Sequence, residues 1–94
     1  MSTLGTLLRK ARVGLGLSLR DAASAHGVTH STIRAWEDGR LLIAEEWLAT
    51  YCDFLDVPLS EARALHAKDQ LARDEAAIRR HVERLAARRA RCAA

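Results

Sequence analysis

The chain of 94 residues predicts an all-α fold of five helices with an extended last one, and three observations carry that expectation. Its hydrophobic fraction of 49% is weighted toward Ala and Leu, both strong helix formers. One Pro and five Gly leave little material for a turn-rich β fold. Apolar residues recur at spacings of three and four along most of the chain, the period of a helix face rather than of a strand.

The first helix is expected from about Leu4 to Val13, where Leu4, Leu7, Leu8 and Ala11 make an apolar stripe interleaved with Arg9, Lys10 and Arg12. Gly14-Leu15-Gly16 ends it, because Gly accepts the left-handed conformation at a helix C-terminus. Ser18 is a natural N-cap for a second helix, about Leu19 to His26. Asp21 completes a capping box there, although Glu or Gln is the more usual partner. Gly27 stops that helix, and Thr29 caps a third from about His30 to Asp38, closed by Gly39. A fourth helix spans about Glu45 to Leu55, its two leading glutamates favoured by the positive end of the helix dipole. Asp56-Val57-Pro58 breaks it, since the residue before Pro is pushed out of helical geometry. Ser60 is then expected to cap a last segment from Glu61 to about Arg91, which would reach about 45–50 Å. The chain has no internal repeat, and its nearest approach to low complexity is the Ala/Arg-rich end from Leu85 to Ala94.

The formal charge of +3 is unevenly placed. Residues 1–59 carry six basic and seven acidic side chains, whereas residues 60–94 carry nine basic and five acidic. Any affinity of the first part for a polyanion must therefore rest on where its charges sit, not on their sum. No stretch approaches the roughly 20 apolar residues that a membrane-spanning helix needs. Nothing at Met1-Ser2-Thr3-Leu4 reads as a leader, so the expected location is the cytoplasm. The two cysteines, Cys52 and Cys92, are far apart and fit no zinc or CxxC spacing. Cys52 reads as a small buried hydrophobe. A phosphate loop, an HExxH pair and a Ser/His/Asp set are all missing, so no catalytic residue, metal or cofactor is expected. His26 and His30 are four apart, but a turn separates them, and they do not share a helix face as metal ligands would.

The order of events from Leu19 to Asp38 is the most informative feature. Two capped helices, each too short to be stable alone, meet at a sharp turn at Gly27. Ala22 and Ala23 supply small side chains where they approach. Val28, Ile33 and Trp36 supply the apolar face of the second, which leaves Thr29, His30, Ser31, Arg34, Ala35 and Asp38 pointing out. The segment Gly16 to Arg40 resembles the Cro/lambda-repressor-type helix-turn-helix, the XRE family. Ala23, Gly27, Ile33 and Trp36 fall where that motif takes Ala, Gly, a branched apolar residue and a large apolar residue. Glu37-Asp38-Gly39-Arg40 matches its usual close. The resemblance covers about Leu4 to Leu59 and not the tail. It implies a lambda-repressor-like DNA-binding domain over residues 1–59, with the motif at 19–38, followed by a helical extension over 60–94.

In that family the second helix of the motif enters the major groove with its N-terminal residues at base edges. Carried over, Thr29, His30, Ser31, Arg34 and Ala35 become candidate base contacts. Arg can hold guanine O6 and N7 with two hydrogen bonds, and Ala can offer its methyl to thymine. Arg40, Arg20, Thr32 and Arg9 become candidate phosphate contacts. Leu19 departs from the pattern, since relatives often place a phosphate-gripping Gln there. Arg12 and Glu37 match positions that form an ion pair between the first helix and the recognition helix. His26 stands where relatives carry an apolar residue, and reads as a half-exposed histidine with an apolar body.

Relatives of this type usually bind inverted-repeat DNA as dimers. Trp47, Tyr51 and Phe54 lie at i, i+4 and i+7 on the fourth helix, a face that suits either an interface or a small core. In the tail, Leu71, Ile78, Val82, Leu85 and Cys92 fit a heptad spacing, interrupted by Glu75 and Arg89. Such a helix overshoots a domain of this size, so it should pack against a partner chain, fold back near Ala67–Asp74, or fray. Ile78, Val82 and Leu85 are the candidate dimerisation residues there, and the arginines around them suit a solvated face, added affinity for DNA or an acidic partner. The expected function is that of a homodimeric transcriptional regulator, more a repressor than an activator. The competing reading is an antitoxin-like or anti-repressor module whose tail grips another protein.

Overall fold

The computed structural model describes residues 3–92. Met1 and Ser2, from the N-terminal segment read above, and Ala93 and Ala94, at the end of the Ala/Arg-rich stretch, lie outside the described residues. The order is α1 (Thr3–Gly14), α2 (Leu19–His26), α3 (His30–Asp38), α4 (Glu45–Leu55) and α5 (Leu59–Cys92), with no strand among the described residues. The local signals act as expected. Ser18 accepts from the Asp21 amide while the Asp21 carboxylate accepts from the Ser18 amide, a complete capping box. That second bond holds the Asp21 carboxyl below its ordinary range. Thr29 Oγ1 accepts from the Thr32 amide at 3.2 Å and caps α3. Gly27 sits in the left-handed region at φ 65°, which lets the Val28 amide reach the Ala23 carbonyl at 3.1 Å and closes α2 tightly.

The core gathers Leu4 and Leu8 of α1, Ala22 and Ala23 of α2, Ile33 and Trp36 of α3, Ile43, Leu48, Tyr51, Cys52 and Leu55 around α4, and Val57 and Ala62 at the root of α5. Helix α1 crosses α3 at Gly5. A Cβ built there would lie 2.3 Å from the Glu37 carbonyl oxygen and 2.7 Å from that of Trp36, so only glycine admits this approach.

Three expectations need correction. Ser60 does not cap the last helix. That helix begins at Leu59, and Ser60 lies within its first turn, where the Ala62 amide bonds the Pro58 carbonyl. The tail neither folds back nor breaks near Ala67–Asp74, because α5 runs as one helix of 34 residues. Nor is the domain expected over residues 1–59 complete at Leu59, where only four helices have formed. The first half of α5 supplies the fifth. Ala62 is buried in the core, Leu65 packs against it, Asp69 bonds the backbone of α1 at Leu4, and Arg73 and His66 bond carbonyls of the connection between α3 and α4, at Gly39 and Ile43. The rest of α5 projects beyond this body. The radius of gyration is accordingly 17.2 Å, where a compact chain of this length would show about 12 Å.

Candidate nucleic-acid interface

The helix-turn-helix places its two faces as the sequence pattern requires. Ile33, Trp36 and Glu37 point inward from α3, and Ala23 is buried while Val28 is half-buried against the core. On the outer side, His30, Ser31, Arg34, Ala35, Asp38 and Arg40 line one shallow open concavity. Arg9, Leu19 and Arg34 line an adjoining depression with Asp38. Four of the five proposed base contacts, His30, Ser31, Arg34 and Ala35, thus share one surface with the proposed phosphate contact Arg40. Arg20 is exposed on α2, one residue past Leu19.

Not every proposed contact is equally free. Thr29 is exposed, but its hydroxyl is already committed: it caps α3 and lies 2.9 Å from the hydroxyl of Thr32. Both threonines therefore serve first to start the helix. Arg34 and Arg40 share the carboxylate of Asp38, at 3.7 Å and 3.5 Å. All three side chains are exposed, and such pairs are worth little in water.

Behind this face α3 is locked. Arg12 Nε donates to Glu37 Oε2 at 2.7 Å and Arg12 Nη2 to Oε1 at 3.0 Å, a two-pronged pair with both side chains buried. The third nitrogen donates to the Leu17 carbonyl at 2.8 Å. The hydrogen bonds to Glu37 hold the Arg12 guanidinium more firmly protonated than usual, despite its burial. The geometry favours survival of the buried pair against its desolvation cost, since each of the guanidinium's three nitrogens donates a hydrogen bond.

Three residues missed by the sequence reading complete the lock, all on the inward face of α5. Arg73 Nη2 donates to the carbonyl of Gly39, the C-cap of α3, at 2.6 Å. A cation there also suits the negative end of the helix dipole. His66 Nε2 bonds the Ile43 carbonyl at 2.8 Å. Asp69 accepts from the Leu4 amide at 3.3 Å, one of the donors that the first turn of a helix leaves unpaired. The spacing 66, 69, 73 is a helix face, but polar residues at that spacing in a highly charged helix give no signal that distinguishes them from a solvated side.

The aromatic cluster of α4 divides. Tyr51 is fully buried in the chain's own core, so for this residue the core alternative holds and its candidacy for a dimer contact falls. Phe54 is half-buried and meets the ring of His26 edge-on at 4.7 Å. Trp47 remains 38% exposed. His26 lies edge-on to Tyr51 as well, at 5.1 Å, which fills the position that relatives occupy with an apolar side chain. Cys52 is buried and its thiol is pushed up by burial, consistent with an inert core residue. Ile78, Val82 and Leu85 all stand exposed on α5.

An all-helical body that presents a capped, backed-up helix with an arginine-bearing outer face defines a DNA-binding protein of the helix-turn-helix class. Residues 3–65 match the family model described as a helix-turn-helix domain, and the chain belongs to that family. Among solved structures it is similar to the clp gene regulator ClgR from Corynebacterium glutamicum. The two are 28% identical, with a TM-score of 0.62 over 87% of this chain and 88% of that one. The search of curated proteins gave no match. The protein is a DNA-binding transcriptional regulator. No helix among the described residues is long and apolar enough to cross a membrane.

Proposed function

We propose that this protein is a homodimeric repressor that binds an inverted-repeat operator, each copy laying residues 29–38 in the major groove. The observation that carries the reading is the contrast between the two sides of α3. Its inner side is held by the buried Arg12–Glu37 pair and the Arg73–Gly39 bond, while His30, Ser31, Arg34 and Ala35 share one open outer surface. A rigid helix with a free polar face is what base reading needs. In this reading Arg34 reads a guanine, His30 and Ser31 reach a base edge or a phosphate, and Ala35 packs on a thymine methyl. Arg40, Arg20 and Arg9 hold phosphates, with a smaller part for Thr32. Two copies set half-site centres about 10 bp apart, and occupancy blocks a promoter. No step of this requires catalysis, metal or cofactor.

Selection of binding sites from random duplex DNA by the purified protein, at near-physiological salt, tests the reading. An enriched inverted repeat is the expected result, and a pool that stays random would overturn it. On the selected site, Arg34→Ala should cost about 1–3 kcal/mol and relax specificity at one position, whereas Arg40→Ala should weaken all sequences alike and lower the salt slope by about one. The exposed apolar residues of α5 also support a second reading, in which the tail holds a different protein and DNA binding is autoregulatory. A stable complex with a heterologous chain that leaves no homodimer would favour it.

A further inference from the structure

Resting on the homodimer reading above, we infer that α5 pairs with α5 of a second copy in the antiparallel sense, with the basic end of each helix lying in a groove beside the other's DNA-binding body. Four observations converge on this.

The first is the placement of the apolar stripe. Leu71, Ile78, Val82 and Leu85 are 59%, 63%, 57% and 46% exposed. At about 100° per residue they fall on the side of α5 opposite His66, Asp69 and Arg73, the residues that bind α5 to its own body. The stripe is therefore open along its whole length, from the edge of the body to the end of the helix.

The second is the charge pattern within the stripe. The heptad seam reads Leu71, Glu75, Ile78, Val82, Leu85, Arg89, Cys92. A parallel, in-register pair would stack Glu75 on Glu75 and Arg89 on Arg89 within the seam. Like charges so placed oppose pairing. Reversing one helix removes every one of these clashes.

The third is self-complementarity. An antiparallel pairing centred on Arg80 sets Ile78 against Val82 of the second copy and Val82 against its Ile78. It also brings Asp74 and Glu75 within one helical turn of the second copy's Arg88 and Arg89, and does so twice by symmetry.

The fourth is the groove. Beside α5, Glu45 of α4 joins Arg63, His66, Ala67, Leu71 and Asp74 in a shallow depression, two carboxylates against one guanidinium. The same register delivers residues 86–92 of the second copy to this depression. That segment offers small Ala86 for a close approach and Arg88 and Arg89 for the carboxylates of Glu45 and Asp74. The two DNA-binding bodies then sit at opposite ends of the helix pair, with their Arg73 positions about 21 Å apart along its axis.

Native Cys92 is exposed and reports the orientation directly. In the antiparallel pair the two Cys92 residues lie about 36 Å apart, whereas a parallel pair makes them neighbours. The experiment combines light scattering on the full chain with mild oxidation and non-reducing electrophoresis. The expected results are a dimer that does not cross-link as wild type, and a Lys68→Cys variant that does, because position 68 faces Cys92 of the second copy. That cross-link should vanish in Lys68→Cys/Cys92→Ser. Arg88→Glu/Arg89→Glu should weaken dimerisation by about tenfold at low salt, and adding Asp74→Arg/Glu75→Arg should restore it. Helicity of each variant by circular dichroism confirms folding. A dimer that cross-links through Cys92 in the wild type overturns the orientation and leaves the homodimer reading standing. So does a dimer trapped by neither pair and indifferent to the charge exchange. A chain that is monomeric at all concentrations overturns both.

Discussion

Between Thr3 and Arg73 the charges balance, nine basic side chains against nine acidic, whereas residues 74–92 carry six basic against three acidic. The first region also buries what it needs to bury. Most of its large apolar residues converge on Tyr51, Leu48 and Ile33, with Val13, Leu15, Leu41, Trp47 and Leu71 left exposed, and α5 ties off backbone groups of α1, the end of α3 and the loop before α4. The second region belongs to the same helix as the end of the first, yet Ile78, Val82 and Leu85 find no cover within the chain. The boundary between the two lies near Arg73, inside a continuous helix, and no break in sequence or backbone marks it. In the function proposed above, specificity for DNA is built where the packing is closed, and the capacity for assembly is left where it is open.

The largest expected effect is confined to the closed region. Glu37→Ala leaves the buried Arg12 guanidinium without its partner, and removing one member of a buried pair costs about 3–5 kcal/mol. Chemical denaturation of this variant should show a loss of that size, with α3 no longer held on α1. A loss below about 1 kcal/mol, the range of exposed pairs, would show that the pair is solvated and that the contrast between the regions is smaller than the burial indicates. Next in size is Gly5→Ala. The added methyl would press on the carbonyls of Trp36 and Glu37, which are backbone and cannot rotate away. Overpacking of this kind costs about 1–3 kcal/mol. It should lower DNA affinity as well as stability, because the shift falls on the recognition helix. A Gly5→Ala protein as stable as the wild type would show that α1 and α3 can slide apart freely.

Much of this was legible in the sequence because it is encoded locally. The Ser18–Asp21 box, the turn at Gly27, the Thr29 cap and the bounds of α4 each depend on a few neighbouring residues, and each stands as read. The outer face of α3 follows from the same helical period once Ile33 and Trp36 are inside. What escaped depends on which elements meet. Gly5 looks like an ordinary helix glycine until α3 crosses it. Arg73 looks like one more arginine in a basic helix until Gly39 lies beneath it. Tyr51 shares a helix face with Trp47 and Phe54, and only the tertiary packing decides that its ring turns to the core while Trp47 stays out. What covers the tail is illegible for a further reason, since a stripe of four large apolar residues specifies burial without naming what does the burying.

A smaller effect comes from pH. Burial lowers the pKa of His26 from 6.5, and its Nε2 has no hydrogen-bond partner among the described residues. The folded chain therefore favours neutral His26 more than the unfolded chain does. The associated stability is complete above pH 6.5 and is lost as the pH falls below that value toward the folded pKa. His26→Leu should flatten the stability profile over that interval relative to wild type, with little change at neutral pH. Identical profiles for the two proteins would show that the imidazole is hydrated in the fold.

The smallest expected change is at the centre of the closed region, and its sign is informative. Tyr51 is fully buried, its hydroxyl has no partner among the described residues, and burial pushes its pKa up to about 12. A hydroxyl left unpaired inside a protein costs about 1–3 kcal/mol, so the core here carries a defect that its apolar packing outweighs. Tyr51→Phe keeps the ring that His26 and Trp36 pack against and removes the defect. It should be neutral or stabilising by up to about 1 kcal/mol in denaturant titrations. Since the ring lies behind α3 and away from the open face, DNA affinity should not change. A destabilised Tyr51→Phe protein would mean that the hydroxyl does find a partner, and that the closed region depends at its centre on a polar contact as well as on apolar burial.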